Sequence, residues 1–300
     1  MDNNNQISAL QLIVRSQDAA LLEELLSALE LNPAIYNDVE ADKAEILIFA
    51  EAISELENIE AQINSNLPDW KVLFSSDFFE MQLVKIRQED WSENWKKHFH
   101  CFKISDRLVL KPSWESYDAQ AGEIILELDP GMCFGTGYHG TSRACLQFMD
   151  TLQQELGTGF SFLDAGCGSG ILSLAAEKLG FKPIFAFDHD LAAVQTTIEN
   201  LNKAGIFDIE VKESELSEYS PPQKCRVVVA NILATVLFAE AEKIISFLIA
   251  DNELSYLILS GILNEQYAEI KEKYSALGLE ESAKITHQEW TSGLFHYQKK

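Results

Sequence analysis

The chain has few basic residues and no long apolar run. Its 300 residues contain 23 lysines and arginines against 47 aspartates and glutamates, a net charge of −24. Such a field repels the phosphates of nucleic acid and attracts a basic partner, although it can also serve solubility alone. No apolar stretch approaches the roughly 20 residues needed to cross a bilayer. We therefore expect no direct nucleic-acid partner and no membrane association.

Cysteine is scarce, and no two cysteines form a C-x-x-C pair. An odd total of five favours free thiols in a reducing compartment over a disulfide framework or a zinc site. The two histidines of "HFH" (98–100) have no evident third ligand, so we predict no metal site. The N-terminal "MDNNNQISAL" lacks the basic region and apolar core of a secretory signal. These features lead us to expect a cytoplasmic protein.

The N-terminal part shows the pattern of a small α+β unit. Its predicted elements are a strand at 9–16, a helix at 17–30, two strands ending near residue 51, a helix at 53–67 and a strand at 70–78. The order β-α-β-β-α-β is that of the ferredoxin-like split βαβ fold. Because that fold serves many functions, the order alone says little about role.

A helix is predicted at 86–99, with Trp91 and Trp95 on one face, and we interpret it as a connector.

From about residue 145, apolar strands alternate with helices, which is typical of a doubly wound α/β sheet buried on both faces. The predicted organisation is a ferredoxin-like domain at 1–82, a linker helix at 83–100 and a Rossmann-like domain at 101–300.

The stretch "LDAGCGSG" (163–170) falls where a predicted strand ends and a helix begins. Ligands of doubly wound sheets bind outside the carboxyl ends of the strands. Gly166, Gly168 and Gly170 permit positive φ angles and close backbone approach, and the helix N-terminus offers free N–H groups. The stretch is therefore a predicted cofactor loop.

The spacing of the loop distinguishes between two cofactors. A dinucleotide favours G-x-G-x-x-G, whereas this chain has G-x-G-x-G, which disfavours a nicotinamide dehydrogenase. Asp164 would oppose a pyrophosphate but suits an ammonium group. S-adenosylmethionine carries an ammonium group and no phosphate, so we predict that cofactor. The alternative for Asp164 is a structural role as a cap of the turn.

Three further polar residues end predicted strands or begin helices. Asp188 lies about 20 residues beyond the loop, where a carboxylate can accept hydrogen bonds from both ribose hydroxyls. Asp190 is the predicted N-cap of the next helix, although the two aspartates could exchange roles. Asn231 ends an apolar strand, where a buried amide needs partners. Its oxygen could orient an amine nucleophile, or the residue could merely cap the following helix.

The glycine loop and Asp188 together resemble those of class I methyltransferases. Three stretches narrow the resemblance to the methyltransferases that modify large-subunit ribosomal protein eleven: "DPGMCFGTGYHGTS" (129–142), "VVVANILA" (227–234) and "LILSGIL" (257–263). Residues 90–115 are also similar to the bridging region of that family. The similarity covers most of residues 90–300, and the N-terminal part matches in layout as a substrate-recognition domain.

The resemblance implies methylation of lysine and N-terminal amines on a small basic ribosomal protein, with S-adenosylmethionine as methyl donor. It also implies cofactor contacts at Thr141, Ser142, Gly166, Asp188 and Asn231. The loop itself adds Asp164 and Gly168 as predicted cofactor contacts, and Asn231 is the predicted catalytic residue.

The chain departs from the family pattern at two positions. Ser142 stands where threonine is usual, and it keeps the hydroxyl. Gly140 stands where proline is usual, and we expect it to loosen the loop. The glycine-rich "FGTGYHGTS" (134–142) is predicted to be a flexible cover over the sulfonium. Within it, His139 is either a base or, as we favour, a structural hydrogen-bonding residue.

The predicted reaction is an in-line displacement at the methyl carbon, accelerated mainly by positioning, with no general base nominated.

A nucleic-acid N-methyltransferase would show an N-P-P-[YF] segment, whereas Ile232 and Leu233 follow Asn231. Two alternatives stay open. One is a non-catalytic S-adenosylmethionine-binding protein, and the other is an N-methyltransferase acting on a small molecule or another protein.

Overall fold

The computed structural model describes residues 6–27, 29, 31, 33–38, 42–50, 52–74, 79–87, 100–129 and 140–297. Contacts between Cα atoms divide the chain into two units, residues 1–98 and residues 99–300. Each unit has its own buried apolar core. None of the helices in the described ranges is long and apolar enough to cross a membrane.

The first unit has the ferredoxin-like fold that the sequence predicts. Its elements are β1 (Gln6–Val14), α1 (Ala19–Ser27), β2 (Ala34–Asp38), β3 (Lys43–Phe49), α2 (Ile53–Trp70) and β4 (Phe79–Arg87). The strands form one antiparallel sheet in the order β2-β3-β1-β4. Alternate residues of β1, namely Leu10, Leu12 and Val14, are fully buried in one cluster with leucines of α1 and α2.

The end of this unit differs from the prediction. The strand predicted at 70–78 is wrong, because α2 continues to Trp70 and β4 begins only at Phe79. Val72 and Leu73, which suggested a strand, lie in the turn after α2 and are 81% and 57% exposed.

The predicted linker helix is also wrong in its first residues. β4 crosses the predicted boundary at residue 82 and pairs with β1 as far as Arg87, so residues 83–87 are strand. The two strands pair over nine residues each, and a helix that began at residue 86 would remove the pairs made by Ile86 and Arg87. The rest of the predicted helix, with Trp91 and Trp95, lies outside the described residues.

The second unit contains two sheets. Its elements are β5 (Phe102–Lys103), β6 (Leu108–Lys111), β7 (Ile124–Glu127), α3 (Gly140–Leu156), β8 (Phe162–Ala165), α4 (Ile171–Leu179), β9 (Ile184–Asp188), α5 (Leu191–Lys203), β10 (Glu210–Glu213), β11 (Val227–Asn231), α6 (Ala234–Ala239), α7 (Ala241–Ser246), β12 (Ser255–Leu263), α8 (Tyr267–Ala276), β13 (Glu280–His287) and β14 (Trp290–Tyr297). The small sheet has the order β5-β6-β7, and the large sheet has the order β10-β9-β8-β11-β12-β14-β13. β14 runs antiparallel to both of its neighbours.

The central strands are apolar on both faces, which confirms the predicted doubly wound α/β sheet. In β11, Val227 and Val229 pack in the core that contains α3 and α4, whereas Val228 and Ala230 pack in the core that contains α6, α7 and α8. The predictions missed β10 and β13, which lie at the sheet edges and are mostly polar and partly exposed. The segment between β11 and β12 contains two short helices, α6 and α7.

Candidate functional site

Four polar side chains lie near the carboxyl ends of parallel strands, on the sheet face that α3 and α4 cover. They are Asp164 on β8, Asp188 at the end of β9, Asn231 at the end of β11 and Ser260 on β12. All four are buried, and Asn231 stands directly opposite Ser260. Side chains alternate along a strand, so these residues share a face with the apolar residues two positions before them, such as Val229 and Ile258.

Helix α3 brings two hydroxyl residues to the same edge. Thr141 and Ser142 lie in its first turn and are fully buried. The Asn231 amide nitrogen Nδ2 donates a hydrogen bond to Ser142 Oγ at 3.4 Å. The Ser260 hydroxyl donates to the main-chain oxygen of Thr141 at 3.2 Å and lies 2.6 Å from the hydroxyl of Ser292. The first turn of α3 is thereby tied to β11 and β12.

The predicted flexible cover is wrong for residues 140–142, which are helical. The reason is packing, since Thr141 and Ser142 are buried and hydrogen-bonded to the sheet edge. A β-carbon on Gly140 would lie 2.9 Å from the β-carbon of His287, so glycine is the residue that this contact admits. Residues 130–139, including His139, lie outside the described residues.

The side-chain oxygen of Asn231 is buried and has no hydrogen-bond partner among the residues that the structure describes. The N-cap of α6 is Leu233, so Asn231 does not cap that helix. An unpaired buried acceptor costs about 1–3 kcal/mol. The amide oxygen is therefore a ready acceptor for an N–H group from a ligand.

The three loop glycines have positive φ angles of 82°, 52° and 80° at Gly166, Gly168 and Gly170. Protein atoms exclude a side chain at two of these glycines. A β-carbon on Gly166 would lie 2.4 Å from Ile232 Cγ2, and one on Gly170 would lie 2.8 Å from Thr197 Cγ2. The loop backbone therefore packs directly against α5 and the residue after β11.

Asp188 organises the loop from the neighbouring strand. Its Oδ2 accepts the main-chain N–H of Gly168 at 2.9 Å, and its Oδ1 accepts that of Asp190 at 3.1 Å. A carboxylate has about four acceptor positions, so capacity remains for hydroxyl donors. Asp190 is the N-cap of α5 and accepts the N–H of Ala192 at 2.9 Å, which confirms its predicted role.

Asp164 is fully enclosed beneath the loop. Its Oδ2 accepts the hydroxyl hydrogen of Ser173 at 2.7 Å, while Oδ1 has no partner within the described ranges. Burial raises the pKa of Asp164 to about 7, the hydrogen bond from Ser173 lowers it, and the charge of Asp188 raises it. The N-cap of α4 is Gly170, and Asp164 is joined to the first turn of that helix through the Ser173 hydroxyl. Its free oxygen leaves room for the ammonium role as well.

Sequence reasoning missed three serines that support this edge, namely Ser173, Ser260 and Ser292. Each one lies within an apolar or small-residue run, where a serine resembles a neutral filler. The one signal was the hydroxyl inside the otherwise apolar strand "LILSGIL" (257–263). A buried hydroxyl in such a strand must find a partner.

The sheet order and the position of its polar residues define the class of protein. A glycine loop follows β8, an acidic residue ends β9 and a polar residue ends β11, in a seven-stranded sheet whose last strand is antiparallel. This is the architecture of a class I methyltransferase. A family model described as "Ribosomal protein L11 methyltransferase (PrmA)" matches residues 10–298. The chain belongs to the ribosomal protein L11 methyltransferase family, which confirms the resemblance found in the sequence.

Individual relatives agree with this assignment. The chain is 36% identical over 253 residues to a ribosomal protein L11 methyltransferase of Syntrophomonas wolfei, covering 83% of this chain and 79% of that protein. It is 35% identical over 265 residues to one of Streptococcus thermophilus, covering 87% and 81%. A crystal structure of ribosomal protein L11 methylase from Lactobacillus delbrueckii subsp. bulgaricus matches with a TM-score of 0.59 at 28% identity, covering 67% of this chain and 100% of that one. The protein is thus a methyltransferase that uses S-adenosylmethionine.

Proposed function

We propose that this protein transfers methyl groups from S-adenosylmethionine to lysine side chains and the N-terminal amine of ribosomal protein L11. Family membership and the names of the relatives support this substrate. The net charge of −24 favours a basic protein partner and disfavours nucleic acid. Action on a ribosomal protein also supports a cytoplasmic location.

The observation that carries the proposal is a pair of buried acceptor oxygens without partners among the described residues, Asp164 Oδ1 and Asn231 Oδ1. They lie on one face of the sheet, at the edge where ligands of such sheets bind. Asp164 offers an acceptor for an ammonium group, and Asn231 offers one for an N–H group. The residues present therefore suit S-adenosylmethionine and an amine acceptor.

Roles for the other site residues follow from their chemistry. Asp188 keeps acceptor capacity for ribose hydroxyls beyond its two main-chain bonds. Gly166 and Gly168 hold the loop backbone in a conformation with positive φ, and this backbone would hold the methionine part of the cofactor. Thr141 and Ser142, in the first turn of α3, contribute hydroxyl groups for the cofactor.

The proposed reaction depends mainly on positioning. S-adenosylmethionine, when bound, supplies a methyl group that its positively charged sulfur already activates. The target lysine must first lose a proton to solvent, because its ordinary pKa is about 10.4. An apolar acceptor slot would lower the pKa of an incoming ammonium group. Asn231 Oδ1 then accepts an N–H of the amine and directs its lone pair, while the Nδ2 bond to Ser142 orients the amide.

We also propose that the first unit, residues 1–98, recognises the substrate and that the second unit, residues 99–300, carries out catalysis. Helix α2 supports a basic partner, since it contains Glu55, Glu57, Glu60 and Asp69 and no lysine or arginine. The substitution pair Glu55→Lys and Glu57→Lys, at two exposed positions, is expected to raise the KM for L11 severalfold at unchanged kcat. An unchanged KM would remove α2 from the recognition surface.

The test of the proposed function is methylation of undermodified L11 with labelled S-adenosylmethionine, followed by mass spectrometry. We expect L11 to gain mass in steps of one methyl group. Asn231→Ala should lower kcat by about 100-fold, the scale of a lost positioning contact, with little change in cofactor affinity. Asn202→Ala, at an exposed position on α5, is the matched control. Cofactor binding without any gain in L11 mass would favour a non-catalytic binding protein or a different acceptor.

A further inference from the structure

Ile232 joins Asn231 to the N-cap of α6 and lies between two glycines of other elements. Its Cγ2 atom occupies the space of a Gly166 side chain, only 2.4 Å from where a β-carbon would be. Its main-chain oxygen lies 2.4 Å from the corresponding position on Gly261, and its main-chain nitrogen lies 3.2 Å from that position. Its side chain thus contacts the cofactor loop, and its main chain contacts β12.

Both glycines are fixed by neighbouring strands. The main-chain N–H of Gly166 donates to the oxygen of Phe187 on β9 at 2.9 Å, and its φ angle is 82°. Gly261 has a φ angle of 79° and lies at the irregularity where the pairing of β12 with β14 shifts register. Neither position accepts a side chain, so Ile232 is in contact with backbone on both sides.

We propose that Ile232 is a positioning residue that couples the glycine loop to the orientation of Asn231. This inference rests on the proposed function, because it takes Asn231 as the residue that orients the amine. A shift of Gly166 on cofactor binding displaces the Ile232 side chain. The main chain of Ile232 abuts Gly261 and has no space there, so the displacement passes to the Asn231 peptide. A β-branched side chain has one strongly preferred χ1 angle, which makes the link stiff.

The test uses two substitutions that differ in one branch. Ile232→Leu conserves volume but removes Cγ2 from its contact with Gly166, whereas Ile232→Val keeps Cγ2 and loses only Cδ1. We expect Ile232→Leu to lower kcat on L11 about tenfold at unchanged KM for L11, and to weaken cofactor binding severalfold. Ile232→Val should lower kcat by less than half of that factor. Ile244→Leu, in the buried core of α7, controls for ordinary isoleucine-to-leucine repacking and should change neither parameter.

A second measurement does not need L11. The ¹⁵N-labelled side-chain amide of Asn231 should shift when S-adenosylhomocysteine saturates the wild-type protein and the Ile232→Val variant, and it should shift less in Ile232→Leu. Equal shifts in all three proteins would overturn the coupling, and so would equal kcat values for the two Ile232 variants. If the wild-type protein methylates no L11, the proposed function fails, while the amide shift still decides whether Ile232 couples loop and amide.

Discussion

The carboxylate of Asp188 accepts the main-chain N–H of Gly168 at 2.9 Å, across 20 residues of sequence. Its second oxygen accepts the N–H of Asp190, so the end of β9 and the glycine loop form one hydrogen-bonded unit. The residue proposed to bind ribose therefore also shapes the glycine loop. Substitutions at this position act on both.

Asp188→Ala removes two acceptors for main-chain N–H groups together with the proposed ribose contacts. We expect S-adenosylmethionine affinity to fall by about 10- to 100-fold, the scale of one or two charge-assisted hydrogen bonds, as measured by isothermal titration calorimetry. Asp188→Asn keeps one acceptor oxygen, so its affinity for S-adenosylmethionine should lie between those of the wild-type protein and Asp188→Ala. Asp190→Ala is the control, since it should cost about 1 kcal/mol of stability as a lost N-cap and leave the affinity unaltered. Undiminished affinity in Asp188→Ala would remove it from the cofactor site.

Asp164 should make the cofactor-free protein less stable as the pH rises. Its pKa is raised from 3.8 to about 7, so between these values the folded protein binds a proton that the unfolded chain has released. The free energy of unfolding therefore falls from about pH 4 to pH 7 and then levels off, by up to about 4 kcal/mol from this group. Asp164→Asn should flatten that part of the profile, as measured by urea unfolding. Parallel pH profiles for the two proteins would contradict the assigned burial effect.

Two buried tyrosines form a matched pair with opposite expectations. The Tyr219 hydroxyl has no partner in the described parts of the chain, whereas the Tyr274 hydroxyl donates to the oxygen of Leu237 at 2.9 Å. Tyr219→Phe should therefore leave stability unchanged or raise it by about 1 kcal/mol, and Tyr274→Phe should lower it by about 1 kcal/mol. Urea midpoints of both variants test this, and equal losses would show that Tyr219 also has a partner.

Gly140 and His287 should behave as a coupled pair. Alanine is a better helix former than glycine, but a β-carbon on Gly140, the first residue of α3, would lie 2.9 Å from the β-carbon of His287. Gly140→Ala alone is therefore expected to destabilise the protein. Introduced into the His287→Gly variant, the same substitution should be neutral or stabilising relative to that variant. A double-mutant cycle in urea measures the coupling. If the two changes in the free energy of unfolding are additive, the Gly140–His287 contact does not limit the residue at position 140.

The sequence predicts those parts of the fold in which local pattern and burial agree. The strands that contain Asp164, Asp188 and Asn231 are apolar on both faces, so their type, order and polar ends could all be read locally. The edge strands β10 and β13 could not, because exposed edges carry polar residues without a strict alternation. β4 was misplaced because Val72 and Leu73 have strand-like side chains but lie in an exposed turn.

The packing of the site could not be read from the sequence, because it depends on contacts between distant segments. The glycines of the loop suggested a ligand close to the backbone, but Ile232 and Thr197 already contact two of them. Ser260 donates to the main-chain oxygen of Thr141 in α3 and contacts the hydroxyl of Ser292, which joins three elements that no local pattern connects.

Alternate residues along the strands of the large sheet face opposite layers of the fold. Asp164 and Asn231 point to one layer, while Leu163 and Ala230 belong to the apolar layer on the opposite side. Both rows contribute apolar residues to a core, and the first row also carries the polar site residues near the carboxyl ends of its strands. A new acceptor specificity could evolve by exchanging those few polar residues alone, with both apolar cores preserved.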